Sequence, residues 1–412
     1  ATIIYTSGTT GTPKGVMLSH KNIIDNIFKT DKTLDLSDGN KRIISYLPIC
    51  HIFERAASYY YQYLGYQVYF AESIELLGDN IREIKPNFLA VVPRLLEKIF
   101  DKIVAKGSTL SGIKKTLFFW AIALGEAYEP YGKNGKLYAF KLKIARKLIF
   151  SKWQEALGGN LEFMLSGSAP MQDRLIRIFL AAGIPIFEGY GMTESSPAIT
   201  VNDLRNKGLK IGTVGKPLEG IEVKIASDGE VLVKGSIVML GYYKNEEMTQ
   251  KTIVNGYLHT GDIGEIDEEG FLKITDRKKE MFKTSGGKYI APAVLESELK
   301  QSRFIEQVMI IGESEKMPAA LIQVNFDFAK EWAVRKKLPA DSIITHERFI
   351  NRIQKEIDFY NQRFGKWEQI KKFEITPDEW SIEEGLLTPT MKMKRKVIKE
   401  KYKNLYQKIF NS

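Results

Sequence analysis

The stretch YTSGTTGTPKG, residues 5–15, places three glycines, a proline and a lysine among serine and threonine residues, directly after a strand-like run at residues 1–5. Glycine-rich turns that end in lysine commonly cradle phosphates, and the ATPase P-loop is one such pattern. That pattern needs the lysine directly after a glycine, whereas Lys14 follows Pro13 and precedes Gly15. Pro13 also lacks the amide that such a cradle would use. The spacing therefore excludes the ATPase P-loop.

The same stretch still suits phosphate in another way. Backbone amides can approach a ligand closely at its glycines, and hydroxyl donors stand at neighbouring positions. The residues that provide these groups are Gly8, Gly11, Gly15, Thr6, Ser7, Thr9 and Thr10. We predict a phosphate-binding loop; the alternative, on this stretch alone, is an ordinary glycine-rich turn between two strands.

Bulk composition sets the class of protein. With 412 residues the chain is long enough for two or three domains, and 44% hydrophobic with 27% charged residues argues against disorder and against a fibrous repeat. A formal net charge of +10 favours anionic partners, among them nucleotides, CoA-like phosphates, lipid headgroups and nucleic acid. No aromatic-basic reader motif supports nucleic acid, so we expect none as a partner.

Cysteine usage and the absence of long apolar runs indicate the compartment. The single cysteine, Cys50, excludes an intrachain disulfide framework and fits a reducing compartment. Four scattered histidines provide no zinc-type ligand set, and no signal peptide or membrane-spanning run is visible. We predict a cytoplasmic protein. Because the chain starts without methionine and already in a strand, we expect it to be the later part of a longer protein.

Changes in the sequence pattern divide the chain into two domains. Short apolar strands alternate with helical patterns in the first part, which predicts an α/β sheet with parallel strands. We expect a large domain at 1–275, with a helical basic insertion at about 100–158 and a β-rich subdomain at about 212–275. The charged segment TDRKKE then begins a third pattern of mixed helices and strands. We place a hinge near Asp276 and a small α+β domain at 277–412.

One segment of the insertion combines apolar and basic residues at helical spacing. Leu137, Phe140, Ile144 and Leu148 recur along residues 136–153, accompanied by lysines and Arg146. A basic amphipathic helix of this kind can lie on an anionic membrane surface. The alternative is a solvated helix face.

The segment EGYGMTE, residues 188–194, carries a second set of polar groups. Tyr190 between two glycines could stack on a flat base, and Thr193 could reach a phosphate oxygen. Glu194 could hold Mg²⁺, which prefers one or two carboxylates together with substrate phosphates. In isolation the segment can also be a plain loop.

Two further segments lie towards the C-terminus. In YLHTGD, Asp262 follows a glycine, a placement suited to a carboxylate that accepts hydrogen bonds from ribose hydroxyls, although aspartate is also a common turn former. Gly286 and Gly287 allow close approach of a ligand chain. In GLLTPTMKMKRK, residues 385–396, a lysine on a mobile lid could neutralise a reacting phosphate and carboxylate, but a solvated charge is the alternative for Lys392.

The four segments YTSGTTGTPKG, YGMTE, YLHTGD and DRKKE, in this order along the whole chain, resemble the adenylate-forming superfamily, and most of all its long-chain fatty acyl-CoA synthetases. The resemblance to the long-chain synthetases also rests on the segments SGSAPM, DRKKEMFKTSGGKYIAP and LLTPTMKMKR. It implies a large adenylation domain with a small lid domain, and ATP, Mg²⁺, CoA and a fatty acid as ligands. The implied reaction makes acyl-AMP and pyrophosphate, then acyl-CoA and AMP, with the lid turning about Asp276 between the two steps.

The resemblance also implies roles for residues. Thr193, Glu194 and Lys392 would be catalytic, Glu194 and Thr6 would hold Mg²⁺, and His51 would line the acyl pocket, unless it is an ordinary loop histidine. The ATP phosphates would lie along residues 6–14, and the adenine and acyl groups along residues 167–169 and 188–190. The ribose would lie at Asp262 and Arg277. The implied nucleotide and CoA contacts are Thr6, Ser7, Gly8, Thr9, Thr10, Gly11, Lys14, Gly167, Ser168, Ala169, Glu188, Gly189, Tyr190, Gly191, Thr193, Asp262, Arg277, Lys279, Lys283, Gly286 and Gly287.

The sequence departs from the family pattern in two places. Family members carry a substantial segment before the phosphate loop, which this chain lacks. The usual glycine before the catalytic lysine is replaced by Met391, so Lys394 is the nearest rival to Lys392. Two alternatives therefore stay open: a ligase for aryl or other acids, and a non-catalytic nucleotide- or lipid-binding form. Peripheral association with an anionic membrane, at the inner membrane surface, is a further hypothesis.

Overall fold

The computed structural model describes residues 1–6, 13–36, 39–388 and 391–411, without the side chain of Asn206. Its contacts divide the chain into two compact units. Unit 1 comprises Ala1–Thr260 and Gly264–Ile274, and unit 2 comprises Gly261–Ile263 and Thr275–Ser412. The hinge near Asp276 stays a prediction.

The strands follow one another in chain order. They are β1 Thr2–Thr6, β2 Lys14–Leu18, β3 Arg42–Ser45, β4 Gln67–Phe70, β5 Phe88–Val91, β6 Phe163–Ser166, β7 Ile186–Gly191, β8 Ala198–Val201, β9 Lys216–Pro217, β10 Glu222–Ile225, β11 Glu230–Lys234, β12 Gly241–Tyr242, β13 Ile253–Val254, β14 Tyr257–Ile266, β15 Leu272–Arg277, β16 Phe282–Lys283, β17 Tyr289–Ile290, β18 Ile305–Ile311, β19 Ala319–Val324 and β20 Lys372–Ile375.

The α-helices are α1 His20–Leu34, α2 Ile52–Tyr63, α3 Leu77–Ile84, α4 Pro93–Ser108, α5 Gly112–Glu126, α6 Gly135–Ala145, α7 Ser151–Ala156, α8 Asp173–Ala181, α9 Glu246–Thr252, α10 Pro292–Leu299, α11 Phe326–Arg335, α12 Glu347–Asn361, α13 Arg395–Lys401 and α14 Lys403–Asn411. A π-helical segment, Arg146–Phe150, joins α6 to α7.

Unit 1 is built around a seven-stranded sheet in the order β4-β3-β5-β6-β7-β8-β9. Its first five strands in that order are parallel, and β8 and β9 add to it antiparallel. Every residue of β5 is buried, as expected for a parallel strand covered by helices on both faces. The carboxyl ends of these strands share one edge, where open α/β sheets bind ligands.

Two smaller sheets complete this part of the chain. β1, β2 and β12 form an antiparallel sheet, so the glycine-rich stretch connects two antiparallel strands rather than a strand and a helix. β10, β11, β14 and β13 neighbour one another in that order in a five-stranded sheet, with β15 paired to β14. After β2, Ser19 starts α1 with a capping box, because its hydroxyl accepts the Asn22 N–H at 3.1 Å and its own N–H donates to the Asn22 side chain at 2.8 Å.

Unit 2 has its own core. β18 pairs antiparallel with β19, and β20 pairs parallel with β19. Phe349, Ile353 and Ile357 recur every four residues on α12 and are fully buried, which is the pattern of a helix packed on a sheet. The predicted class is confirmed: a large α/β domain followed by a small α+β domain.

Helices α5, α6 and α7 lie in the segment predicted as a basic insertion, and four of its apolar residues face solvent rather than the core. Leu137, Phe140, Ile144 and Leu148 are exposed by 70%, 63%, 37% and 45%. The buried side of the same segment is formed instead by Leu142, Ala145, Phe150 and Trp153. We call the four exposed residues the apolar row. Across the described residues, no helix has the length and apolar character needed to cross a membrane.

Candidate functional site

The predicted phosphate loop is held at its two ends by the β1–β2 ladder. Thr6 and Lys14 are register partners, so the last residue of β1 lies directly opposite the first residue of β2. Both side chains are half-buried. Ser7, Gly8, Thr9, Thr10 and Gly11 lie outside the described residues, and their role stays a prediction.

Lys14 is linked to Glu194 through a tyrosine that lies outside every sequence motif. The ammonium of Lys14 lies 5.1 Å from the centroid of the Tyr242 ring, and the Tyr242 hydroxyl donates to Glu194 Oε1 at 2.8 Å. β12 pairs with β2 and places Tyr242 opposite Val16. Burial, and then the Glu194 carboxylate, raises the pKa of Tyr242, so its hydroxyl stays a proton donor. We call Lys14, Tyr242 and Glu194 the phosphate-side cluster.

The backbone around Glu194 is fixed by close packing. Thr193 and Glu194 begin a short 3₁₀ turn, Thr193–Ser195, at the end of β7. A Cβ at Gly191 would lie 1.8 Å from the Pro197 carbonyl oxygen, so only glycine fits there. The Glu194 carbonyl accepts the Met239 N–H at 2.9 Å. Glu194 is buried and Thr193 half-buried, with their positions set by backbone contacts.

A single buried carboxylate is a suitable magnesium ligand when phosphates complete the shell. The Tyr242 bond engages Oε1 of Glu194 and orients the group. The described part of the chain contains no group of three or more aspartate, glutamate, histidine or cysteine side chains that could hold a metal ion by themselves. Glu194 therefore fits a metal that arrives with a polyphosphate, and Thr6 stays a predicted second ligand.

The predicted adenine and acyl region lies at the carboxyl ends of β6 and β7. Glu188 on β7 is the register partner of Ser166, and Gly167 follows directly; a Cβ at Gly167 would lie 3.6 Å from the ring of Phe53. Ser168 has a φ of 73°, a left-handed conformation that non-glycine residues rarely adopt and that concentrates at functional sites. The structure thus brings Gly167, Ser168 and Glu188 to one edge of the sheet.

Neighbouring predicted residues differ in exposure. Ala169 is exposed, whereas Gly189 and Tyr190 are half-buried on β7, where Tyr190 pairs with Thr200. His51 is half-buried and is the N-cap residue of α2, which also carries Phe53. These positions are compatible with a pocket wall, and their ligand contacts stay predictions.

Glu188 has unusual electrostatics. Burial, and then the neighbouring Asp173 carboxylate, raises its pKa to about 8. At neutral pH the group is therefore mainly protonated, and it can donate a hydrogen bond as well as accept one.

Unit 2 brings together three other predicted residues. Asp262 in β14 is buried and lies 3.1 Å from Nε of Arg277 at the end of β15. Lys392 is half-buried, and burial, followed by the charge of Arg277, lowers its pKa to about 8, while Asp262 and Glu280 oppose the shift. Lys394 is exposed and immediately precedes α13. We call Lys392, Arg277, Asp262 and Glu280 the lysine cluster.

The remaining predicted residues of unit 2 lie on the hairpin formed by β16 and β17 and in the turn just before it. Lys279, Lys283, Gly286 and Gly287 are all exposed. Gly287 has a φ of 77° and closes the turn with its N–H on the Thr284 carbonyl. The Lys283 ammonium lies 4.8 Å from the centre of the Tyr289 ring. Their assignment to nucleotide or CoA stays a prediction.

Asp276, the predicted hinge residue, is buried. Its side chain accepts the Arg277 N–H. Burial, the largest cause, together with the charge of Glu280 raises its pKa to about 7.

Comparisons with known proteins identify the family. An AMP-binding enzyme family matches residues 1–243, and an AMP-binding enzyme C-terminal domain matches residues 280–412. Long-chain-fatty-acid–CoA ligase FadD15 of Mycobacterium bovis is 36% identical over 423 aligned residues, which cover 100% of this chain and 69% of the ligase. The peroxisomal long chain acyl-CoA synthetase 7 of Arabidopsis thaliana is 35% identical and is matched over 100% of this chain and 61% of its own length.

A solved structure shares the fold. The adenylation domain of a carboxylate reductase from Mycobacterium chelonae superposes with a TM-score of 0.76 at 22% identity, covering 100% of this chain and 60% of that one. The resemblance drawn from the four motifs is confirmed by the family matches and by the relatives. The chain belongs to the AMP-binding enzyme family, the adenylate-forming superfamily.

Proposed function

We propose that this chain is an ATP-dependent long-chain-fatty-acid–CoA ligase, an acid–thiol ligase that uses ATP, Mg²⁺ and CoA. The observation that carries the proposal is the 36% identity, along the whole chain, to a long-chain-fatty-acid–CoA ligase. The phosphate-side cluster and the lysine cluster supply the charges that such a reaction needs.

The first half-reaction joins two anions. A fatty carboxylate oxygen attacks the α-phosphorus of ATP, the bond from that phosphorus to the pyrophosphate oxygen breaks, and acyl-AMP and pyrophosphate result. The ammonium groups of Lys14 and Lys392 offset the repulsion between carboxylate and triphosphate by preorganised electrostatics. Mg²⁺, held by Glu194, would add positive charge at the phosphate oxygens.

The second half-reaction needs no protein nucleophile. The CoA thiolate attacks the acyl carbonyl carbon, the bond to the AMP oxygen breaks, and acyl-CoA and AMP leave. In this proposal Asp262 and Arg277 hold the ribose of the nucleotide. Its support is that the buried Asp262 carboxylate can accept hydrogen bonds from hydroxyls while its ion pair with Arg277 fixes it.

Pyrophosphate exchange tests this proposal. The chain is incubated with ATP, labelled pyrophosphate and a panel of acids that covers long-chain, short-chain and aryl carboxylates, and AMP release is then followed after CoA is added. Exchange supported best by palmitate-range acids, with CoA-dependent AMP release, is expected. Exchange supported only by aryl or short acids would support the ligase of different specificity. Calorimetric binding of ATP without exchange or AMP release would support the non-catalytic form.

We further propose peripheral binding to anionic membranes through the apolar row. Leu137 and Phe140 expose most of their surface, and the segment 108–154 holds nine basic and two acidic residues. The two acidic residues, Glu126 and Glu129, are paired with Arg174 and Arg177 of α8. Exposed apolar side chains beside an excess of lysines are the combination that inserts into an anionic lipid interface. A cytoplasmic protein docked on the inner membrane surface is the corresponding location.

Vesicle sedimentation tests the membrane proposal. Replacing Leu137 and Phe140 by serine is expected to lower partitioning onto phosphatidylcholine vesicles containing phosphatidylglycerol by about tenfold or more, since each buried side chain contributes about 1.5–3 kcal/mol. The matched control replaces Val334 and Phe359, which are exposed by 69% and 55% in unit 2. Binding that needs no anionic lipid, or that the control pair lowers equally, would remove the proposal.

A further inference from the structure

An arginine close to Lys392 in sequence makes short ion pairs within unit 2. Arg395, three residues after Lys392, is the first residue of α13. Its Nη2 lies 2.7 Å from Oε1 and 2.6 Å from Oε2 of Glu296, and its Nε lies 3.2 Å from Oε2 of Glu280. Arg395 is the last residue of the segment LLTPTMKMKR, residues 386–395, but none of the implied roles falls on it.

Glu296 connects the arginine to the core. It is buried on α10, and its Oε1 also accepts the Ile310 N–H of β18 at 2.7 Å. Arg395 therefore ties the start of α13 to one helix and one strand at once. A guanidinium with two carboxylate partners is held more firmly than a lysine would be, because its planar fork matches carboxylate geometry.

The segment that carries Lys392 leads directly into this anchor. The Lys392 carbonyl accepts the Thr388 N–H at 2.8 Å, and the Lys392 N–H donates to the Thr388 hydroxyl at 3.0 Å. Leu387 and Met393 form an antiparallel bridge, and the Lys394 N–H donates to the Leu386 carbonyl at 2.9 Å. These bonds tie residues 392–394 to residues 386–388, and Arg395 follows directly, so fixing Arg395 fixes the backbone from which the Lys392 side chain extends.

Glu280 connects Arg395 to Lys392 electrostatically. Its carboxylate contacts Arg395, and its charge also stabilises the Lys392 ammonium, as does that of Asp262. The charged groups that act on Lys392 are thus Arg277 from β15, Asp262 from β14 and Glu280 from the turn after β15. Without Arg395, the Glu280 carboxylate would be left to pair with the lysine.

We propose that Arg395 is a positioning residue for Lys392: it anchors the backbone of residues 392–394 through Glu296 and engages Glu280, which leaves the Lys392 ammonium available to the reacting anions. This inference rests on the proposed ligase function. It predicts that the first half-reaction depends on Arg395 and that the second does not.

The test separates the half-reactions in the full chain. R395Q alone would leave the buried Glu296 without an ion-pair partner, so the main variant is R395Q/E296Q, which removes both charges together. We expect pyrophosphate exchange with palmitate to fall 10- to 100-fold, the range that a misplaced catalytic group produces. Thioester formation from preformed palmitoyl-AMP and CoA is expected to stay near the wild-type rate. Adding E280Q is expected to restore part of the exchange, and R395K is expected to retain more than R395Q.

The pH dependence of the exchange rate gives a second readout. The alkaline limb is the fall of this rate at high pH, and a residue with a purely structural role would not shift the pH at which it occurs. Release of Glu280 raises the pKa of Lys392, so the limb of R395Q/E296Q is expected to move to higher pH by about 1 unit, the effect of one newly close carboxylate. The control is R363Q, since Arg363 pairs with Glu298 on the same helix as Glu296 and is about half exposed. The exchange rate of R363Q, and the pH at which that rate falls, are expected to match those of wild type.

Four results would overturn the inference: exchange by R395Q/E296Q at the wild-type rate, an equal loss in both half-reactions, an unmoved limb, or no recovery on adding E280Q. Failure of the proposed function itself has a different signature, because the wild-type chain would then show no acid-dependent exchange at all. Wild-type exchange with an unaffected variant rejects only the role of Arg395.

Discussion

Two lysines assigned to the same reaction lie in opposite surroundings. Lys14 in unit 1 rests over the ring of Tyr242, whose hydroxyl binds the buried Glu194. Lys392 in unit 2 lies among charged groups, where burial and Arg277 lower its pKa to about 8. An aromatic face attracts an ammonium without using its three N–H donors, so the ring leaves these donors for the phosphate oxygens that we propose Lys14 binds.

The difference indicates different tasks. The phosphate-side cluster is suited to holding the triphosphate of ATP in the first half-reaction, because a buried hydrogen bond from Tyr242 fixes the Glu194 carboxylate. The lysine cluster is close to a balance between cations and carboxylates, so small changes in charge alter the protonation of Lys392. We therefore expect perturbations of unit 1 to change ligand binding and perturbations of unit 2 to change the first chemical step.

The largest effect is expected when the phosphate-side carboxylate loses its charge. E194Q keeps the shape of the buried side chain but removes the charge of the proposed magnesium ligand, so exchange is expected to fall by about 10²–10³-fold, as for loss of one preorganised electrostatic group. The Mg²⁺ concentration for half-maximal exchange should rise. E246Q, at an exposed glutamate of α9, serves as the control. A normal Mg²⁺ requirement in E194Q would contradict the assignment.

A smaller effect is expected from the tyrosine between Lys14 and Glu194. Y242F removes a hydrogen bond to a buried carboxylate, worth about 1.5–3 kcal/mol, while keeping the ring under Lys14. Exchange kinetics should show a raised KM for ATP with a smaller change in kcat. Y243F is the matched control, since Tyr243 is its exposed neighbour. If Y243F and Y242F behave alike, Tyr242 has no special role.

Glu188 is expected to make the stability of unit 1 depend on pH. Its pKa is raised in the folded state to about 8, so the folded protein binds an extra proton above the ordinary carboxyl pKa. The associated stability is fully present below about pH 4.5 and is lost as the pH rises towards 8. E188Q lacks this loss, so its melting temperature should exceed that of wild type by roughly 2 °C or more at pH 8 and by less at pH 5.

Thermal unfolding of wild type, E188Q and the exposed-site control E155Q across this pH range provides the measurement. A constant offset between E188Q and wild type at every pH would show that Glu188 does not titrate in the window.

The smallest effect concerns the backbone beside Lys392. Met391 has a φ of 62°, where a side chain costs about 1 kcal/mol and glycine costs little. Urea unfolding should therefore find M391G more stable than M391A by about 1 kcal/mol, the reverse of the usual order. At Met393, whose φ is not left-handed, alanine should be the more stable replacement. The same order at both sites would mean that Met391 carries no strain.

The sequence predicts those features that depend on local pattern. Pro93 begins α4, and the fully apolar run FLAV forms the buried β5. The four motifs also lead to the correct family, since each packs its characteristic residues into one short segment. The helical insertion shows the limit: spacing alone identified the helix, but its apolar row faces solvent because neighbouring elements cover the other side.

Contacts between distant segments account for what was missed. Tyr242 and Glu194 are 48 positions apart, and only the pairing of β12 with β2 brings the tyrosine beside Lys14. Arg395 meets Glu296 across 99 positions. Neither tyrosine nor arginine stands out in a chain with 19 tyrosines and many basic residues. A signal for both could come only from knowing which strands and helices are neighbours.

The most direct test of the division of tasks between the two lysines separates the half-reactions of K392A, with K394A as the control for the neighbouring exposed lysine. We expect K392A to lose pyrophosphate exchange by about 100-fold or more while it converts preformed palmitoyl-AMP and CoA to palmitoyl-CoA within about threefold of wild type. K394A should keep both activities. Unchanged exchange in K392A, or a loss shared equally by both half-reactions, would contradict the assignment of Lys392 to the first step.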